Sequence, residues 1–213
     1  MKWVIKNPAP LDSRQEKWGD FHFGRSLTKY LERLGEEVIT DYDGEWENDH
    51  QEDVVLVLRG KYPYKVKKEV INIMWNISHP ADVSMEEYSS YDLVLVASNS
   101  FSEKLKKDLS IPVEPLLQCT DTEEFKPSNL DHFIRKDFVF VGNTRSVKRP
   151  GVLWSVDLGL PLKVWGRGWK EYIPKSHIVA DYIENQQLGE LYAQSKVIIN
   201  DHWDDMKEFG FIN

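Results

Sequence analysis

Cysteine is nearly absent: Cys119 is the only one in 213 residues. That excludes an intramolecular disulfide and any metal cluster built on several thiolates. Long apolar runs are missing too. Stretches such as "DVVLVLRG" fall far short of the roughly 20 residues needed to cross a bilayer, and "MKWVIKNPAP" lacks the apolar segment of a signal peptide. The expected compartment is the cytoplasm, with peripheral contact at the inner face of the membrane left open. Positive charge is also in deficit, with 27 Lys and Arg against 35 Asp and Glu, a net charge of −8. Proteins that track nucleic acid need the opposite balance, so no nucleic-acid partner is expected. Local basic clusters can still hold one small phosphorylated ligand. No G-x-G-x-x-G follows the first strand, which argues against a dinucleotide enzyme.

What the chain does have is core-forming material. Hydrophobic residues make up 41%, with 8 Trp, 9 Tyr and 9 Phe, and the 29% that are charged are mixed in sign. This is a globular composition. Strand-like and helix-like segments alternate along it, the pattern of an α/β protein with parallel sheets. "KWVIK" reads as a strand that stops at the prolines of "NPAP". From Asp20 to Leu34 apolar residues recur at helical spacing, closed by Gly35. "EVIT", "DVVLVLRG", "VINIMWNIS" and "DLVLVAS" read as strands, the nearly continuous aliphatic ones being covered on both faces. Ser100 or Ser102 is the expected cap of the helix in "NSFSEKLKKDL", and "VEPLLQC" completes the first series.

"TDTEEFKPSNLDHFIRK" is breaker-rich and reads as a linker or crossover. A second series follows: "FVFVGN", "LPLKVWGRG", "HIVADYI" and "KVIIND" as strands, "RPGVLWSVDLG" and "NQQLGELYAQS" as helices. The expected architecture is therefore two Rossmann-like parallel-sheet units with a cleft between them. Residues 1–125 form the first, and 126–213 hold the linker and the start of the second. The second series looks unfinished, as if the natural chain continued past Asn213.

Ligands of open parallel sheets sit at the carboxyl ends of the strands, and five such ends carry chemistry. In "FVFVGNTRSVKRP", Gly142 permits a tight turn, Asn143 and Thr144 are donors suited to phosphate oxygens, and Arg145, Lys148 and Arg149 add charge before a helix opened by Pro150. In "VWGRG", Gly166 and Gly168 flank Arg167, which can reach a diphosphate. In "ADYIENQQLGELY", Asn185 is the expected helix cap, while Tyr182 and Ile183 could flank a nucleobase, a position in the core being equally open to Tyr182. In "WGDFHFGRSL", Gly19 turns the chain, Asp20 is the expected cap and His22 is left near the cleft, an ordinary helix start being the simpler reading. In "MWNISHP", Asn76, Ser78 and His79 emerge together, and a histidine there is suited to general-base work. "INDHWDD" offers Asp201, His202, Asp204 and Asp205, but no second histidine stands at helical zinc spacing, so no metal site is expected.

Taken in order, "WGDFHFGRSLTKYLERLGEEV", "MWNISHP", "YDLVLVAS", "PLLQCTD", "FVFVGNTRSVKRP", "VWGRGW" and "VIINDHWDDMKEFGFIN" resemble bacterial glycosyltransferases of the GT-B fold. The nearest branch is the glycosyltransferase family 1-like, or spore-maturation CgeB-like, one. The resemblance implies a metal-independent, hexosyltransferase-like enzyme without a cofactor, its donor a nucleoside diphosphate sugar such as a UDP-sugar. The acceptor would be a glycan or lipid-linked glycan of the bacterial surface or envelope. It also implies roles. Gly142, Asn143, Thr144, Arg149, Gly166, Arg167 and Tyr182 would bind the donor. His79 and Asp20 would be catalytic, with Gly19, His22, Asn76 and Ser78 on the acceptor side. In such enzymes a helix and a ribose-holding carboxylate come after the point where this sequence ends, so the donor site it carries is expected to be incomplete. The lysines of "KYPYKVKKE" and "EKLKKDL" are candidates for contact with anionic lipid. The rival expectation is a non-catalytic, two-lobed module that binds a nucleotide or glycan without turning it over.

Overall fold

The structure, a computed structural model, describes residues 1–127 and 137–212. It is α/β, with two all-parallel sheets of six and four strands flanked by helices. The chain divides into two units, Met1–Cys119 together with His202–Asn213, and Thr120–Asp201. The division therefore falls slightly before the boundary expected at residue 125, and the last segment belongs to the first unit. Of the expected linker Thr120–Lys136, the stretch 128–136 lies outside the described residues, as does Asn213.

In the first unit the strands are β1 (Lys2–Pro10), β2 (Glu37–Asp43), β3 (Val54–Arg59), β4 (Ile71–Asn76), β5 (Leu93–Val96) and β6 (Val113–Pro115). They lie in the order β2-β1-β3-β4-β5-β6. β3 is buried along its whole length, because both of its faces carry apolar side chains into packed layers. Val55 and Val57 join Met74, Val94, Phe101 and Leu105 on one face. Val54, Leu56 and Leu58 join Ile73 and Trp75 on the other, under Phe23, Leu27 and Leu31. These last three belong to α1 (Gly19–Arg33), which ends at Gly35. There the amides of Gly35 and Glu36 bond back to the carbonyls of Glu32 and Leu31 at 3.0 and 3.2 Å. This is the reciprocal closure that a left-handed residue allows, and Gly35 has φ 90°.

β1 runs past the expected stop, through Pro8 and Pro10. Its pairing with β3 ends at Lys6 and its register with β2 shifts beyond that residue, so neither proline displaces a ladder hydrogen bond from β3. α3 (Asn99–Asp108) is capped by Ser98, whose Oγ accepts from the Phe101 amide, rather than by Ser100 or Ser102. A short helix not expected from the sequence, α2 (Met85–Ser89), is capped by Ser84 and contributes Tyr88 to the core.

The second unit contains β7 (Phe138–Val141), α4 (Pro150–Asp157), β8 (Leu162–Trp165), β9 (Ile178–Ala180), α5 (Asn185–Gln194) and β10 (Val197–Ile198). Its strand order is β10-β7-β8-β9. The core is smaller: Phe140, Val152, Leu162, Val164, Trp169 and Ile173.

Past β10 the chain returns to the first unit through α6 (Asp204–Glu208). Phe211 is 1% exposed and belongs to the first unit's core, in which the Phe209 ring meets Phe101 edge-on at 4.7 Å. Ser98 Oγ donates to the Phe209 carbonyl at 2.7 Å, and Gly210, at φ 75°, passes so close to Ser98 and Ser100 that a Cβ would strike both hydroxyls.

Candidate functional site

Strand order reverses at β1/β3 in the first unit and at β7/β10 in the second. The carboxyl ends of the strands at such points are where open parallel sheets bind ligands. The two edges are described separately.

At the first, Asn7 follows β1's paired stretch and is fully buried. Its carboxamide donates to the Asp20 carbonyl at 2.7 Å and accepts from the Ala9 amide at 2.9 Å. A Cβ on Gly24 would collide with that carboxamide, so the glycine lets α1 approach the strand end. Gly19 is the first residue of α1 and Trp18 its N-cap. Asp20 is thus in the first turn rather than at the cap, a place where the helix dipole favours a carboxylate. His22 Nε2 is 2.7 Å from the Glu16 carbonyl, and its ring lies edge-on to Phe21. That histidine ties the helix to the preceding turn.

At the ends of β3 and β4 stand Arg59 and Asn76, both buried. The Asn76 amide donates to the Arg59 carbonyl at 3.2 Å and the Ser78 carbonyl at 2.9 Å, while its oxygen accepts from Tyr88 Oη at 3.0 Å. Asn76 is therefore committed inside the fold instead of emerging with Ser78 and His79. The last two are half-buried. His79 takes a left-handed conformation, φ 51° and ψ 51°, and caps a 3-10 turn at Pro80–Asp82. Its Nδ1 lies 3.0 Å from Ser78 Oγ, and no hydrogen bond engages Nε2 among the described residues.

At the second edge the loops after β7 and β8 are laced together by their backbones. The Gly142 amide donates to the Trp165 carbonyl at 2.8 Å and the Thr144 amide to the Arg167 carbonyl at 3.0 Å. In return the Arg167 amide donates to Asn143 Oδ1 at 2.7 Å, and Trp169 Nε1 donates to the Gly142 carbonyl at 2.8 Å. Gly166 and Gly168 make this possible, at φ 143° and 84°: Cβ atoms there would overlap the Gly142 carbonyl and Thr144 Oγ1. Asn143 and Arg167 are left exposed, whereas Thr144 is buried and its hydroxyl accepts from the Ser146 amide at 3.3 Å.

Arg149 does not project freely. It donates from its guanidinium to the Asp201 carbonyl at 2.6 Å, lies 3.6 Å from that carboxylate and covers the Phe140 ring. Burial pulls its pKa down, and Asp201 opposes the shift. Arg149 and Asp201 thus span the β7/β10 switch point. Tyr182 is half-buried, with Oη 3.4 Å from Glu184. Asn185 is not a cap; it opens α5 after Glu184 and donates to Glu124 at 3.2 Å.

Of the residues singled out in the sequence, Gly142, Asn143, Thr144, Gly166 and Arg167 are brought together in one laced pair of loops. Ser78, His79 and Asn76 share one strand end. Asp201 lies in the second unit and His202 in the first, so "INDHWDD" is divided between them. No group of three or more His, Cys, Asp and Glu among the described residues could hold a metal ion. Lys67 of the lysine-rich stretch is bound to Glu52 at 2.7 Å, and Lys106 to Glu103 and Glu114. No helix among the described residues is long and apolar enough to cross a membrane.

Sequence reasoning missed the buried ion pairs at the first edge. Lys6 Nζ bonds Asp41 at 2.7 Å, and Asp41 also meets His50 at 2.9 Å. Arg59 bonds Glu87 through two nitrogens, at 2.6 and 3.0 Å. A charged residue closing the aliphatic run "VVLVLR" was the available signal, since such a side chain must find a partner when the strand is buried. Neither a family model nor a curated protein matches the chain.

Proposed function

We propose that the chain is a glycosyltransferase that moves a sugar from a nucleoside diphosphate sugar to an acceptor hydroxyl, in bacterial surface or envelope glycan synthesis. One observation carries the reading most: the laced loops after β7 and β8, drawn together at Gly166 and Gly168, leave the Arg167 and Asn143 side chains exposed at a sheet's carboxyl edge. A diphosphate is an extended anionic group, and a guanidinium beside further side-chain donors suits it. Asn143 presents its amide there, and Arg145 and Lys148 add positive charge from the same loop.

On this reading the acceptor oxygen attacks the anomeric carbon, the bond from that carbon to the diphosphate oxygen breaks, and the nucleoside diphosphate departs with the electron pair. Arg167, with Arg145 and Lys148 of the neighbouring loop, lowers the cost of charge gathering on the leaving group. His79, at the carboxyl end of β4, accepts the proton released by the acceptor hydroxyl through Nε2. Arg149 and Thr144 support the loops from beneath. Asp20 and His22 act through α1, Gly19 leaves that helix's start open, and Tyr182 offers a ring face for the nucleobase.

His79→Ala should slow transfer by roughly 100-fold or more while leaving nucleotide affinity within about twofold. Nucleoside diphosphate release from UDP-, GDP-, ADP- and dTDP-glucose measures the first, and calorimetry the second. Wild-type turnover by the variant would remove His79 from the chemistry. A second reading, a nucleotide- or glycan-binding module without turnover, draws on the internal commitment of Thr144 and Arg149. Nucleotide binding with no consumption of any sugar nucleotide would favour it.

A further inference from the structure

The most heavily anchored part of the first edge is the segment that carries His79. A non-glycine residue at φ 51° is costly and persists only where its surroundings over-determine it. Those surroundings can be traced atom by atom. Arg59, 1% exposed, donates to the Glu87 carboxylate from Nε at 2.6 Å and from one terminal nitrogen at 3.0 Å. It also donates to the Gly60 carbonyl at 2.6 Å and the Asp82 carbonyl at 3.0 Å. A single guanidinium thus ties the end of β3, the 3-10 turn after His79 and helix α2.

Asn76 completes the frame from the other side. It holds the carbonyl of Ser78, the residue before His79, and receives the Tyr88 hydroxyl from α2. Gly60 lies under Ser78 Oγ, where a Cβ would come within 3.1 Å, and that hydroxyl is the one His79 Nδ1 meets. α6 of the returning segment packs on the Pro80–Asp82 turn. The chain is therefore pinned immediately before His79 and three residues after it.

Stability alone does not account for this arrangement. Burying an arginine and a carboxylate in place of apolar groups gains little or nothing, whereas the fixed fork geometry of a guanidinium specifies position well. We propose that Arg59 is a positioning residue: with Glu87, and through the Asp82 carbonyl, it sets the left-handed turn that aims the His79 ring. The consequence for catalysis rests on the reading of His79 as the acceptor's base.

The test compares Arg59→Lys, Glu87→Gln and Tyr88→Phe with Leu109→Ala, a change in the same apolar cluster that removes none of the network's hydrogen bonds. Ring nitrogen NMR signals of the histidines are recorded for each, His79 being assigned by its loss in His79→Gln. Tm is measured alongside, as is nucleoside diphosphate release from the four glucose nucleotides. Arg59→Lys and Glu87→Gln should displace the His79 signals and cut kcat ten- to a hundredfold with little change in donor KM. Leu109→Ala should lower Tm alone. Should Arg59→Lys or Glu87→Gln fail to fold, Tyr88→Phe, which removes one hydroxyl, should still displace the signals. His79 signals unmoved in every network variant that folds, despite a lower Tm, would overturn the proposal. Displaced signals with wild-type turnover in His79→Gln would uphold the positioning role and refute His79 as the base.

Discussion

Single residues divide sharply into those whose role can be read locally and those whose role depends on distant partners. Gly166 and Gly168 belong to the first kind, since a glycine pair around an arginine at a strand end already implies unusual backbone. Their φ values and the atoms that replace any Cβ supply the reason. Gly166→Ala should destabilise the second unit by at least about 2 kcal/mol, because a left-handed strain adds to a clash with the Gly142 carbonyl. Denaturant unfolding monitored at the second unit's tryptophans measures it. Arg59 belongs to the second kind: Glu87 stands 28 positions along the chain, and no local pattern links them. Glu52 is similar. Burial alone would raise its carboxyl, but hydrogen bonds from Lys67 and from backbone amides hold it down at about 2, against 4.5 for the free group. A lowered folded pKa gives stability that is present above the unfolded value and lost as pH falls towards the folded one. Between about pH 4.5 and 2 the wild type should therefore lose stability that Glu52→Gln lacks from the start, visible as a shallower acid slope in the variant. Parallel slopes would remove Glu52 from acid unfolding.

At the scale of elements, hydrophobic periodicity and capping chemistry carried most of the architecture. The alternation of strands and helices, the end of α1 at Gly35 and the doubly buried β3 all follow from side-chain patterns visible in the sequence. Caps were harder. Ser100 or Ser102 is the cap expected for α3, yet the cap is Ser98, whose hydroxyl accepts from the Phe101 amide and donates to the Phe209 carbonyl. That second bond spans 111 positions, a distance over which sequence pattern is silent. The same holds for "KEFGFIN", which reads as part of the second series yet packs in the first unit's core. Phe211→Ala should cost about 3–5 kcal/mol of the first unit's stability, the loss for an aromatic removed from a packed interior. Thermal unfolding tests this, and a loss below about 1 kcal/mol would mean that the returning segment is only loosely held.

For the whole molecule, the candidate sites were legible as strand ends and much less so as geometry. The rule that ligands gather at carboxyl edges pointed to His79 at the end of β4 and, separately, to the loops after β7 and β8, which the structure laces to each other. It could not tell that Thr144 and Arg149 point their polar groups inward, because burial at a loop depends on how two loops meet. The result leaves Arg167 and Asn143 exposed at the second edge, together with Arg145 and Lys148. The central claim is that this edge binds a nucleoside diphosphate. It is tested most directly by calorimetric titration of UDP, GDP, ADP, CDP and dTDP into the wild type and Arg167→Ala. Binding of one nucleotide in preference to the others, weakened in the variant by roughly ten- to a hundredfold for the loss of a charge-assisted contact, is the predicted result. No binding of any nucleotide, or affinities unchanged by Arg167→Ala, would contradict it.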